Sequence, residues 1–278
     1  MGYRIVGDSC TDLTPEMKQD PHFRLVPLHL MVDDVEIVDD DTFDQARFIS
    51  LMRASSSCPK SACPAPVEYM KHFEGGDDIY VITLSGRLSG FYNSAVLAKN
   101  IYEEENGARN ICVVDSRSAS CGQMLIAKKI QELCEAGLPF EQVSALTLKY
   151  RDEMNTKFVL ESLDNLRKNG RLSNIKAFLA EALNIKPVMT GTAEGDINNM
   201  ISLRGMKKSL KAMAEFVAKD AVDPANRTVG IAHCNNPGRA LEFKGYLEQV
   251  VHFKDCIIVE TRGVSTLYAN DGGIICSY

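Results

Sequence analysis

Residues 79–95 read IYVITLSGRLSGFYNSA. The run at 79–84 is short, apolar and rich in β-branched residues, and it stops at Ser85 as a buried strand does. Helical spacing follows over residues 89–105. A junction of this kind turns free backbone N–H groups and the positive end of a helix toward the space beyond the strand. Ser85, Ser89 and Ser94 add hydroxyls there, and Gly86 and Gly90 let a ligand come close to the backbone. The segment by itself fits two things equally: an anion-accepting turn, and an ordinary Ser/Gly turn with a capping serine.

The same rhythm recurs on either side. Strands are predicted at 3–7 and 111–114, and helices at 120–136 and 140–152. Strands alternating with helices of that length pair in parallel, and the loops at their carboxyl ends line a crevice. After residue 155 the spacing changes. A helix is expected at 174–183, a strand at 185–189, a turn at 191–195, a helix at 206–218 and strands at 228–233 and 256–260. Asn236 before Pro237 marks a further helix start. The fold class expected is therefore α/β with two lobes: residues 1–155 forming a parallel-sheet lobe with the Ser-rich loops, and residues 156–278 forming a second α/β lobe.

Composition narrows the function classes. With 278 residues, 45% hydrophobic and 24% charged, the chain has ordinary globular usage and no long disordered tail is expected. A net charge of −6 without a dense Lys/Arg stripe argues against nucleic acid as partner. The nine cysteines are an odd number and scattered, which fits reduced thiols and a cytoplasmic location better than a disulfide framework. Cys58 and Cys63 lack a second pair at zinc-ligand spacing, so no metal is expected, and no organic cofactor either. No apolar stretch is long enough to span a bilayer, so stable membrane insertion is not expected. The acidic run Asp39, Asp40, Asp41 reads as a solvated turn before a helix.

Enzymatic readings of the serine segments fail on spacing. A phosphate-binding P-loop needs Lys and Ser/Thr after its last glycine, whereas Phe91 and Tyr92 follow Gly90; a nucleophile elbow needs glycines two residues either side of the serine, and Ser89 has Arg87 and Phe91. The opening GDSCTDL, residues 7–13, resembles the start of one class of serine esterase, but no Asp-x-x-His stands near the C-terminus to supply a base. Asp8 and Ser9 are better read as capping a turn. His233, at a strand end, either lines the crevice or is structural. Cys63 and Cys121 have no evident partner and read as small packing residues. Two further segments stand out more weakly: KSACPAP at 60–66, with Ser61 in a loop ahead of a helix, and LDNLRKNGRLS at 163–173, with Arg171 after a tight Asn169-Gly170 turn.

Taken together, GDSCTDL at 7–13, PKSACPAP at 59–66, LSGRLSGFYNSA at 84–95, VVDSRSASCGQ at 113–123 and LDNLRKNGRLS at 163–173 resemble the DegV family of fatty-acid-binding proteins, in the same order over nearly the whole chain. The resemblance implies an acyl tunnel between the lobes and a cytoplasmic carrier that performs no chemistry on a long-chain fatty acid. In such systems a separate fatty acid kinase receives the acid and makes the acyl phosphate. The family's Thr of a T-S-Q-P segment and Ser of the L-S-G turn, which hold the carboxyl, fall on Ser61 and Ser89, with Gly90 beside them. Its later arginines look like Arg171 and Arg204, near the head group or the partner surface. Two departures are visible: Ser61-Ala62-Cys63 where Thr-Ser-Gln is usual, and Tyr268-Ala269-Asn270-Asp271-Gly272 where the family often has His-Thr-Gly-Pro-Gly. Tyr268 stands there either as a substitute for the head-group histidine or as a bystander.

Burying a chain of about sixteen carbons at roughly 0.8 kcal/mol per methylene gives about 10 kcal/mol before ordering costs, so the tail supplies affinity and the hydroxyls fix which end faces the mouth. With no lysine in the Ser61 and Ser89 segments, the bound acid is expected to be partly protonated. A monomer is expected. The competing reading is an acyl hydrolase or transferase using a Ser or Cys in the same cleft.

Overall fold

The computed structural model describes residues 2–172 and 184–278; the helix expected at 174–183 lies outside them. The first half runs β1 (Tyr3–Asp8), α1 (Pro15–Gln19), β2 (Phe23–Val26), β3 (His29–Val32), β4 (Val35–Val38), α2 (Gln45–Ala54), β5 (Lys60–Ala62), α3 (Pro66–Met70), β6 (Asp78–Thr83), α4 (Phe91–Asn106), β7 (Ile111–Asp115), α5 (Cys121–Glu135) and α6 (Phe140–Glu153). The second runs β8 (Thr156–Val159), α7 (Asp164–Lys168), β9 (Ile185–Gly191), β10 (Ile197–Arg204), α8 (Met206–Asp220), β11 (Thr228–His233), α9 (Pro237–Glu248), β12 (Asp255–Glu260), α10 (Gly263–Ala269) and β13 (Ile274–Ser277).

β2-β1-β6-β7 form a parallel sheet, and β10-β9-β8-β13-β11-β12 form a mixed one. Five of the six residues of β6 are buried, as expected of a strand covered on both faces. A small antiparallel sheet, β4-β3-β5, stands apart from both. Its strands are too short and mixed in character to announce themselves in the sequence, and β5 carries Ser61, paired with Leu30 of β3. Ser61 is thus on a strand rather than in the loop expected for it.

α5 is the element both lobes share. Every residue from Cys121 to Ala127 is buried, because its first turns lie between the two sheets, and with Met124, Leu125, Ile126 and Ile130 it belongs to the largest apolar core. α8 and α9 cover the other face of the mixed sheet through Leu210, Met213, Val217, Ala240 and Phe243. The carboxyl ends of β1, β6 and β7 therefore point at one face of the mixed sheet, which leaves room for a cavity between them.

The tight turn at Asn169-Gly170 is a helix end: Gly170, at φ 77°, ends α7, and the Arg171 N–H donates to the Leu166 carbonyl at 2.8 Å, a helix-terminating arrangement that needs a left-handed residue. The acidic run departs from expectation. Asp39 is not solvated. It is 1% exposed and faces Arg262 Nε at 3.5 Å, an ion pair without hydrogen-bond geometry. Asp41 of the same run is fully exposed.

Candidate functional site

Three serines of the 84–95 segment take three different jobs. Ser85 Oγ donates to the Gly195 carbonyl at 2.8 Å, tying the β6–α4 junction to the turn between β9 and β10. Gly195 (φ 92°) has no Cβ, and one placed there would lie 2.3 Å from Ser85 Oγ, so this clasp depends on glycine. Ser94 Oγ donates to the Pro64 carbonyl at 2.6 Å, fixing the loop after Ser61 against the start of α4. Ser89 makes only long contacts, to the Ser85 carbonyl and from the Phe91 N–H, both at 3.4 Å. Its hydroxyl is the one left for a ligand. Gly90 is the N-cap of α4 with no side-chain partner, and a Cβ on it would meet Cys63 Sγ at an ordinary 3.7 Å, which shows how close the two loops lie.

Ser61, Ser89, Gly90, Arg171 and Tyr268 all line one cavity of about 290 Å³ between the lobes, at the small end of ligand pockets, which run from roughly 300 to 1,000 Å³. Arg171 donates from Nε to the Leu88 carbonyl at 3.1 Å, and its guanidinium stacks over the Tyr268 ring at 5.7 Å. Tyr268, on α10, keeps its Oη out of solvent with no hydrogen-bond partner. A buried phenol without a partner costs about 1–3 kcal/mol, which a ligand carboxyl would recover. Arg204 is elsewhere. It ends the edge strand β10, opposite Ile185, exposed and away from the cavity.

The rest of the wall was not singled out from the sequence. Thr156, Phe158 and Leu160 alternate along and just beyond β8 and face the cavity, with Ile275 of β13 directly opposite Phe158. The two-residue period of T-x-F-x-L was the available signal. Ser118 and Ser120 come from the loop before α5, in which Arg117 (φ 50°) and Ser120 (φ 56°) hold left-handed conformations that non-glycine residues adopt at a cost of roughly 1–3 kcal/mol.

Buried carboxylates brace these loops. Asp8 accepts from the Leu84 N–H at 2.6 Å, the Cys10 N–H at 3.1 Å and Gln123 at 3.0 Å, and burial still pushes its carboxyl up to about 6. Asp12 accepts from Ser120 Oγ at 2.5 Å and from the Arg262 N–H at 2.8 Å, joining the loop before α5 to the start of α10, and burial pushes it up to about 7. Asp8 thus caps the turn after β1, as its position in GDSC suggested.

Among the described residues no histidine lines the cavity, and His233 accepts the Asn236 N–H at 3.3 Å outside it. Asp196 on the wall is engaged by Arg87 at 2.9 Å. Cys63 does reach the cavity, but burial raises its thiol, and Cys121 is buried with its thiol pushed up to about 12. No described cluster of His, Cys, Asp or Glu could hold a metal, and no described helix is long and apolar enough to cross a membrane.

The sequence pattern described as "uncharacterised protein, DegV family" matches residues 3–277. A DegV domain-containing protein of Streptococcus pneumoniae is 34% identical over 280 residues, covering 100% of this chain and 99% of the relative. Among solved structures, a DegV family protein of Ruminococcus gnavus with vaccenic acid is 48% identical, with a TM-score of 0.97 over 99% of both chains. The Streptococcus pneumoniae Fatty Acid Kinase (Fak) B3 protein loaded with linoleic acid is 34% identical, with a TM-score of 0.90 over 100% of this chain and 99% of that one. A Eubacterium eligens DegV family protein loaded with heptadecanoic acid is 30% identical, with a TM-score of 0.90 over 99% of each. Two lobes, a cavity between them and likeness from end to end converge: the chain belongs to the DegV family.

Proposed function

We propose that this chain is a monomeric carrier, of lobes 1–155 and 156–278, that holds one long-chain fatty acid between them without reacting with it and presents it to a separate kinase. The carboxyl sits among Ser61, Ser89, Arg171 and Tyr268, and the tail lies along Phe158, Leu160 and Ile275. The observation that carries this reading is the gathering of Ser61, Ser89, Arg171 and Tyr268 on one cavity whose wall continues through Phe158, Leu160 and Ile275. Its place on that wall supports Tyr268 as the substitute for a head-group histidine. The Arg171 guanidinium on that wall gives an ionised carboxylate a partner, which removes the need for the partly protonated acid expected from the lysine-free motifs.

Solved relatives carrying vaccenic, linoleic and heptadecanoic acids support the ligand class, and the kinase-system name of one supports the partner. Exposed Arg204 then belongs to the surface that meets the kinase rather than to the head group. The test is denaturing extraction and mass spectrometry of the purified protein. About one fatty acid per chain is expected, because one cavity carries the four head-group residues. Protein that comes out empty and instead cleaves an acyl ester would overturn the reading.

A further inference from the structure

Behind the acyl cavity lies a second one of about 310 Å³, and the two share Arg117, Ser118, Thr156 and Gly191 as a common wall. β13 pairs with β8 so that Val159 faces Ile274 and Thr156 faces Ser277, and α10, which carries Tyr268, leads into β13 at Ile274. The Tyr268 end and the Thr156 end are therefore opposite ends of the wall, separated along β8 by roughly 10–13 Å at about 3.3 Å per residue. The far end is not apolar. Ser118 Oγ lies 2.7 Å from Thr156 Oγ1, which lies 2.9 Å from Ser277 Oγ. Beyond Ser118, the chain of hydroxyls meets only the Ala119 carbonyl at a long 3.5 Å.

A row of hydroxyls so weakly ended has both a proton to give and lone pairs to receive one. The neighbouring cations share one acid: Arg117 meets Asp152 at 3.0 Å, and Arg151 meets Asp152 at 2.7 Å and the Asp115 carbonyl at 3.2 Å. A neutral group that both donates and accepts pairs with this row without disturbing those ion pairs.

We infer that the acyl cavity continues past Ser118 and Thr156 into the second cavity, and that this end accepts the terminal hydroxyl of an ω-hydroxy fatty acid. The inference rests on the carrier reading, because it takes the first cavity to hold an acyl chain. In a closed apolar tunnel a terminal hydroxyl would lose its hydrogen bonds with water and be rejected; here it replaces them with Ser118 and Thr156.

The experiment is equilibrium binding of ω-hydroxyhexadecanoic acid and heptadecanoic acid, equal in chain atoms, to the delipidated full chain, to Thr156→Val and to Ser118→Ala. Thr156→Val keeps the β-branched shape in the strand, and Ser118→Ala supplies the same comparison should the first variant fail to fold. The readout is the ratio of the two affinities within each protein. Wild type should bind the two acids within about threefold of each other, and each variant should shift the ratio about tenfold toward heptadecanoic acid. A wild-type ratio already tenfold or more against the hydroxy acid, or ratios that do not move in the variants, would overturn the inference while leaving the carrier reading in place. Failure of the wild type to bind either acid would remove both.

Discussion

The first lobe builds its side of the cavity mostly from loops, whereas the second adds a strand face to Arg171 and Tyr268. Ser89, Gly90, Ser118 and Ser120 stand on turns held by the Leu84 N–H on Asp8, the Ser120 hydroxyl on Asp12 and backbone bonds to one another. Phe158 and Ile275 stand on paired strands of the mixed sheet, and Leu160 follows directly on β8. Loops held by buried polar groups place hydroxyls and N–H groups at fixed points, which orients a carboxyl; a strand face presents continuous apolar surface, which retains a tail. On the proposed reading the loops, joined by Arg171 and Tyr268 of the second lobe, set direction, and the strand face sets affinity.

The sharpest way to break that division is at the sheet. Phe158→Gln keeps the strand and most of the volume while setting an amide against the tail. Its expected effect is a loss of roughly 2 kcal/mol, about thirtyfold in fatty-acid affinity, from lost apolar contact and an unpaired amide. Displacement of a fluorescent fatty acid measures it, with circular dichroism to confirm the fold. If affinity falls less than for a head-group serine variant, the assignment of retention to the sheet fails.

A second test strikes the loops through their bracing. Asp12 titrates near 4 in the unfolded chain and at about 7 in the folded one, because burial outweighs its hydrogen bonds. The folded state therefore binds the proton more tightly. Its stabilising contribution is complete below about pH 4 and is lost as pH rises through 7. Between about pH 5 and pH 7.5 wild type should lose about 2 kcal/mol relative to Asp12→Asn, whose amide does not ionise and leaves the Ser120 hydroxyl free to reverse and accept. Urea midpoints of both proteins at the two pH values give the difference. A gap that does not change with pH would show that Asp12 is ionised throughout.

The same contrast governs how much could be read from the chain. The strands at 79–84 and 228–233 and the helices at 120–136 and 140–152 were legible because they are long and bury a regular face. The turn that carries Ser89 was legible because a strand, a Ser/Gly turn and a helix follow one another around it; the segments of Ser61 and Arg171 stood out only weakly, and their resemblance to family segments gave them a role. Tyr268 was left open by the sequence as substitute or bystander, and the structure puts it on the cavity wall beside Arg171. β5, α7 and α10 were not legible, being three to seven residues long and stabilised by contacts distant in sequence. Asp39 misled for the same reason: its neighbours in sequence are solvated, and Arg262, which faces it, lies more than two hundred residues away.

The smallest expected effect distinguishes the two head-group serines. Ser89 Oγ has only long, weak contacts, so Ser89→Ala removes a ligand bond and little else; a loss of about 1 kcal/mol, some fivefold in affinity, should appear with an unchanged melting temperature. Ser61 lies on a strand whose backbone pairing with Leu30 holds it in place whatever its side chain, so Ser61→Ala should also spare the fold. If both hydroxyls hold one carboxyl, the double variant should lose less than the sum of the single losses, since removing either lets the head group shift away from the other. Strict additivity of the two would mean that they contact different parts of the ligand, and the loop wall would then orient something longer than a carboxyl.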